Sequence, residues 1–374
     1  MEEQAPADST GLEPASTVLF PAPPTTEPRI QWVFLGPQGL RAGWSVLLWL
    51  IFMFLLISGL GFLFAELGLV KRQASFSPRS LFFNELLSVI ALAGAIGIMA
   101  LIEQRHILDY NLREARGVRH FFSGLVAGFA ALSLLVACLA AGGWLHIGGA
   151  ALSGTSIFKF GLMWAGVFLL VGLFEEGTFR CYLQATLARG MNFWWALGAV
   201  SLICTILTFR HKGNGVWGDY ALALLGLLPC LWLELRQAKG RGFWQAAWAT
   251  STLFGFVHTS NGGESWIGIF AAGAIGFVFC VSIRLTGSAW WAIGTHAAWD
   301  WGETYFYGTP DSGMIAPGHY LSTTISGNAL WSGGEAGPEG SLMVLAVILL
   351  MLVWVVAVYG KRKQQKTREI PSHL

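Results

Sequence analysis

Glu175 and Glu176 stand side by side in FEEGTFR (174–180), with Arg180 four residues after the second, directly behind the apolar run FKFGLMWAGVFLLVGL. A charged side chain at the centre of a membrane helix costs roughly 2.5–3.5 kcal/mol on insertion scales. Such residues therefore face a cavity or a partner and are functional candidates. On a helix Glu176 and Arg180 share one face with the glutamate first, the order that favours an ion pair. Glu175 lies about 100° further round and has no such local cation. An orphan carboxylate in that position is a candidate general base. Two more constellations repeat the spacing of four. Phe254 precedes His258 in STLFGFVHTSNG, and His296 precedes Asp300 in GTHAAWDWGE. Two histidines on separate apolar segments, with Asp300 and an unpaired Glu175, suit acid–base chemistry. The same donors, Glu175, His258, His296 and Asp300, would also make a plausible zinc set, although no HExxH helix is present.

The elements that must position these groups are membrane helices. Of 374 residues 54% are hydrophobic and only 12% charged, against about 25% in soluble domains. Mean hydropathy is +0.57, and the 18 Trp and 26 Phe suit anchoring at membrane interfaces. Apolar spans fall near 44–64, 82–102, 121–141, 157–188, 193–209, 219–235, 244–260, 266–283, 288–302 and 342–359. Several reach the ~20 residues that cross a bilayer. The expectation is an all-α, polytopic transmembrane bundle of about ten spans. The depths agree with one shared cavity, with Glu175 and His258 each about 20 Å from a membrane face at the helical rise.

Residues 1–30 are acidic and rich in Pro, Ser and Thr, with no basic start or apolar core of a signal peptide. They read as a disordered tail. The membrane bundle then covers 31–302. Residues 303–341 form a Gly- and aromatic-rich loop, and 342–374 hold the last helix and a basic tail. Arg105, Arg113, Arg116, Arg119, Arg189, Arg236, Lys239, Arg241, Arg284 and KRKQQKTR fall on one side, while 303–341 contains no Lys or Arg. The excess puts both termini in the cytoplasm, against the counter-examples Lys71, Arg72, Arg79, Arg210 and Lys212. The loop is then extracytoplasmic, and its Trp and Tyr content argues for an ordered cap. A net charge of +2 gives no reason to expect a nucleic-acid partner. The five cysteines are scattered singly without metal-like spacing, as buried apolar side chains would be.

The ordered set EExxxR, FxxxH and HxxxD on three apolar segments resembles the CPBP family of intramembrane CaaX endopeptidases and bacteriocin-processing proteins, also called the Abi group. The likeness covers about 105–302. ILDYNLR resembles the family's short cytoplasmic segment, FWQAAWATSTLFGFVH its second-motif helix and RLTGSAWWAIGTHAAWD its last. The resemblance implies that Glu175 activates water, with Glu176 and Arg180 in support. It implies that His258 holds or shares that water, and that His296 and position 300 stabilise an oxyanion. The family has also been labelled metalloprotease, so the cofactor is zinc or none, with none favoured. Two departures stand out. The helices at 193–209 and 219–235 look like an inserted pair, and His211 in TFRHKGNG lacks the FxxxH spacing. Asp300 stands where CaaX endopeptidases carry Asn; an ionised Asp cannot donate to an oxyanion. It either keeps a proton, orients His296 or helps to hold a metal.

The expected function is hydrolysis of a peptide bond in a membrane-anchored or lipidated substrate, with peptide and lipid bilayer as the partners. A bacterial inner membrane is the expected location. A catalytically inactive relative that binds or regulates a partner is the alternative. A proton-coupled transporter is a third, and the chain shows no internal repeat to support it.

Overall fold

A computed structural model describes residues 33–70, 77–210, 227–261, 263, 265–311 and 314–361. The expected tail at 1–30, His211, the first part of the span at 219–235 and the basic tail beyond Lys361 lie outside the described residues. The protein is mostly helical, with little sheet. In chain order its main helices are α1 (Ala42–Glu66), α2 (Pro78–Ile102), α3 (Gly117–Ala141), α4 (Thr155–Glu176), α5 (Phe193–Arg210), α6 (Arg241–Val257), α7 (Trp266–Thr286), α8 (Trp290–Asp300) and α9 (Leu342–Val355). Their starts follow ordinary capping chemistry. Ser77 accepts from the amide of Ser80 ahead of Pro78, Ser265 from Gly268, and Ser341 from Met343.

Among the described residues six helices are long and apolar enough to cross a membrane: Ala42–Glu66, Pro78–Ile102, Gly117–Ala141, Thr155–Leu187, Trp266–Thr286 and Leu342–Gly360. The protein is an integral membrane protein. The other four expected spans are not among these six. Among the described residues only Phe193–Leu202 of α5 qualifies as a shorter apolar helix. α6 has 17 residues and buries Gln245, Thr250 and Ser251 before it tightens into a 3-10 turn at His258. α8 has 11 residues and gives way to a π-helical segment, Trp301–Tyr307, directly after Asp300. A second π segment, Gly177–Leu183, follows Glu176 directly. Such segments concentrate at functional sites because they re-aim side chains by a fraction of a turn.

α8 lies against α3 and α4, and also touches α7. Its approach to α3 is backbone to backbone. A Cβ on Gly124 would collide with the carbonyl of Trp291, one on Gly128 with that of Thr295, and one on Gly294 with that of Phe121. Small residues at such crossings let membrane helices pack without a driving force from water. The contact fixes the rotation of α8, and with it the direction of His296.

Residues 303–341 are ordered where described. Two short strands, β1 (Leu35–Gly36) and β2 (Gly39–Leu40), pair ahead of the first helix, and β4 (Leu321–Ile325) pairs antiparallel with β3 (Leu145–Ala150), in the register Leu145↔Ile325 to Ala150↔Leu321 with an irregularity between Ile147 and Ala150. This segment and the π turn that leads into it are also tied to α4. Tyr305 donates to the Ile157 carbonyl (2.6 Å), Trp301 to that of Gly161 (2.9 Å), and Trp164 donates to Pro317 (3.3 Å).

Candidate active site

His296 is the hub. Its Nδ1 lies 2.8 Å from Oε1 of Glu176, and its Nε2 lies 3.4 Å from Asp300 and 3.7 Å from Glu175. One imidazole thus meets three carboxylates. The helical spacing accounts for each: Asp300 is one turn on along α8, and the adjacent Glu175 and Glu176 at the end of α4 reach the ring from two directions. Glu175, without a cation one turn away in its own helix, finds its neighbour on another.

Behind the imidazole the site is sealed. Glu176 and Arg180 are fully buried, and their side chains pair at 3.2 Å between Nε and Oε2. The guanidinium then lies over the ring of Phe254, 4.1 Å from its centroid, a cation–π contact strengthened by desolvation. Room for it comes from Gly276 on α7, where a Cβ would run into Nη2 of Arg180. Phe254 also packs against the rings of His258 and His296, with centroids 4.6 and 6.2 Å away. The expected Glu176–Arg180 pair is present and has a third member, since Glu176 holds His296 as well.

In front lies a cavity of ≈ 410 Å³. Glu175, His258, His296 and Asp300 all line it, together with Phe254, Phe279 and Trp299. His258 sits half-buried just past the end of α6, its Nδ1 2.7 Å from the carbonyl of Phe254. That carbonyl can only accept, so Nδ1 carries a proton and Nε2 is left for the cavity. Three more acids complete the lining, Glu85 from α2 and Asp311 and Glu339 from the 303–341 segment, and no Lys or Arg does so among the described residues. Trp299 donates from Nε1 to both Glu339 (2.6 Å) and the buried Glu303 (3.1 Å), while Thr304 donates to Asp311 (2.5 Å). Of these, Glu85 was open to detection by the rule that singles out Glu175, being a lone acid in LFFNELLSVIAL. Asp311 and Glu339 gave no signal, because a folded segment brings them in over a long sequence distance.

The donors Glu175, His258, His296 and Asp300 all line this cavity, but they are not arranged as a metal centre. Among the described residues no group of three His, Cys, Asp or Glu side chains could hold a metal ion. His296 has committed Nδ1 to Glu176 and so keeps a single nitrogen for any other partner.

Residues 157–237 and 229–302 match the family model described as Type II CAAX prenyl endopeptidase Rce1-like. Over that section, which contains all the motif residues, the chain is similar to CAAX-type intramembrane proteases. No curated protein and no solved structure matches the chain.

Proposed function

We propose that the protein is a CAAX-type intramembrane endopeptidase in which Glu175 and His258 activate a water molecule. The observation that carries this reading is the placement of His296, held from behind by a buried Glu176–Arg180 pair and presented to a cavity that Glu175, His258 and Asp300 line. Water sits between Glu175 and Nε2 of His258. Its oxygen adds to the peptide carbonyl carbon as its proton passes to Glu175. The charge that develops on the carbonyl oxygen meets His296, which gives Nδ1–H to Glu176 and Nε2–H to the oxyanion. Fixed donors in a site closed to bulk water stabilise such charge far better than water does. Collapse breaks the C–N bond, and Glu175 returns its proton to the leaving amine.

Asp300, 3.4 Å from the same Nε2, orients His296 in this scheme until the oxyanion forms and takes over that N–H. No step passes through a metal. Substrate reaches the cavity from the membrane as a lipidated or otherwise anchored chain. About ten membrane segments, short ones included, surround the site, with both termini cytoplasmic and 303–341 on the opposite face.

The test is cleavage in reconstituted vesicles, read by mass spectrometry. Wild type and Glu175→Gln are compared on farnesylated and unmodified CaaX peptides and a mixed peptide library, with and without chelator. Cleavage by wild type that survives chelator and disappears in the variant supports the proposal. Loss with chelator transfers the water to a metal. A folded wild type that cuts nothing makes the protein a binding relative instead.

A further inference from the structure

We propose that Asn111 is a positioning residue, fixing the register between the π segment that carries Arg180 and the helix that carries His296 and Asp300. The inference rests on the hydrolase reading for its effect on rate, but the joint itself is a matter of geometry. Asn111 lies in the linker between α2 and α3, outside the helices that bear the motifs. Its carboxamide Nδ2 donates to the backbone carbonyl of Arg180 (2.7 Å) and to Oε1 of Gln184 (2.8 Å). Both acceptors belong to the turns just after Glu176, where the π segment interrupts the regular α-helical ladder. Its own carbonyl accepts from the amide of Ala289 (2.8 Å), the residue that opens α8. One residue therefore holds the first-motif helix by its side chain and the third-motif helix by its backbone.

The backbone conformation makes this possible. Asn111 has φ = +56°, a left-handed conformation that Asn tolerates better than most residues with a Cβ. The contacts also close on themselves. From Asn111 they run to Arg180, from the Arg180 side chain to Glu176, from Glu176 to His296, and back along α8 to Ala289 and Asn111. The linker is braced on either side. Glu103 accepts from Tyr110 (3.1 Å) and Arg189 (2.8 Å). Trp290 donates to the Leu112 carbonyl (3.1 Å), and Ser288 to Glu114 (2.6 Å). Burial, with the Glu103 charge beside it, holds the Tyr110 phenol above its ordinary range.

The test uses the full chain in vesicles with two substitutions. Asn111→Gly keeps the left-handed backbone and the Ala289 bond but removes the carboxamide. Asn111→Asp keeps size and shape but sets a carboxylate against two acceptors. Hydrogen–deuterium exchange is followed over 177–184 and 289–296 beside the cleavage kinetics. The expected result is exchange about fivefold faster or more in both segments. It comes with kcat lowered about 10- to 100-fold and KM within about twofold, since misplacement of a catalytic group by ~1 Å costs rate on that scale. Unchanged exchange in either segment overturns the joint. Faster exchange with unchanged kcat overturns the positioning role. If wild type cuts no peptide, the exchange result still decides the joint, and the hydrolase reading is what has failed.

Discussion

Glu175 and Glu176 are chain neighbours with identical side chains, yet the protein treats them in opposite ways. The Glu176 side chain is 0% exposed, held between Arg180 and His296, whereas that of Glu175 is 29% exposed and faces the cavity. The same division runs through the whole site. Behind His296 every charge is matched: one carboxylate, one guanidinium, an aromatic face and a glycine that makes room. In front of it five carboxylates, Glu85, Glu175, Asp300, Asp311 and Glu339, line open space with no cationic Lys or Arg among the described lining residues. The buried contacts hold the imidazole from behind, and the carboxylates that line the cavity gather in front of it.

The sharpest way to separate the two sides is Glu175→Gln. Removal of a general base costs about 10²–10⁴-fold in rate, and a half-exposed carboxamide leaves packing intact. We expect kcat to fall by that factor with an unchanged thermal midpoint. A midpoint that falls instead would place Glu175 in the structural half. Arg180→Met should do the reverse in kind, leaving the buried Glu176 carboxylate without its guanidinium and with only His296 as partner, at a cost of about 3–5 kcal/mol. Denaturant unfolding in detergent measures it, and a loss under about 1 kcal/mol would mean that water reaches the pair. Gly276→Ala is milder, because the added methyl meets only the tip of a flexible side chain. We expect about 1–3 kcal/mol of destabilisation, with reduced cleavage as the guanidinium leaves Phe254. Wild-type behaviour on both counts would show that the back of the site is loosely packed. Asp300→Asn should change least. The carboxamide can still approach Nε2 of His296 and can itself donate, so cleavage should stay within about tenfold of wild type. A collapse in rate would make the ionised carboxylate essential.

The motif residues were legible because charge is costly in an apolar segment, and Glu175, Glu176, Arg180, His258, His296 and Asp300 announce themselves by that cost alone. Their spacing of four also foretold two true neighbours, Glu176 with Arg180 and His296 with Asp300. Contacts between helices were not legible. Nothing in FEEGTFR shows that Glu176 divides itself between Arg180 and a histidine on α8, and nothing marks Gly276 as space for a guanidinium. Asn111 looked like a linker residue, since its left-handed backbone and its three contacts exist only after folding. The helical class was evident from composition. Segment count was harder, because hydropathy finds apolar stretches and does not measure where a helix stops. α6 tightens at His258 and α8 yields to a π segment at Asp300, both at positions to which the proposed mechanism gives a role.

The pairing of β3 with β4 has a consequence for how the protein comes into being. Leu145 and Ile325 are partners across more than a third of the chain, and Asp311 and Glu339 reach the cavity only through the segment that this pairing anchors. Every motif residue has been synthesised by Asp300, but the ribosome must continue well past Ile325 before this side of the chamber can close. Synthesis proceeds at about 5–20 residues per second, so a nascent chain holds its complete set of reactive groups for several seconds without the finished chamber. The order of the elements along the chain thus separates the arrival of the motif residues from the closing of the chamber around them.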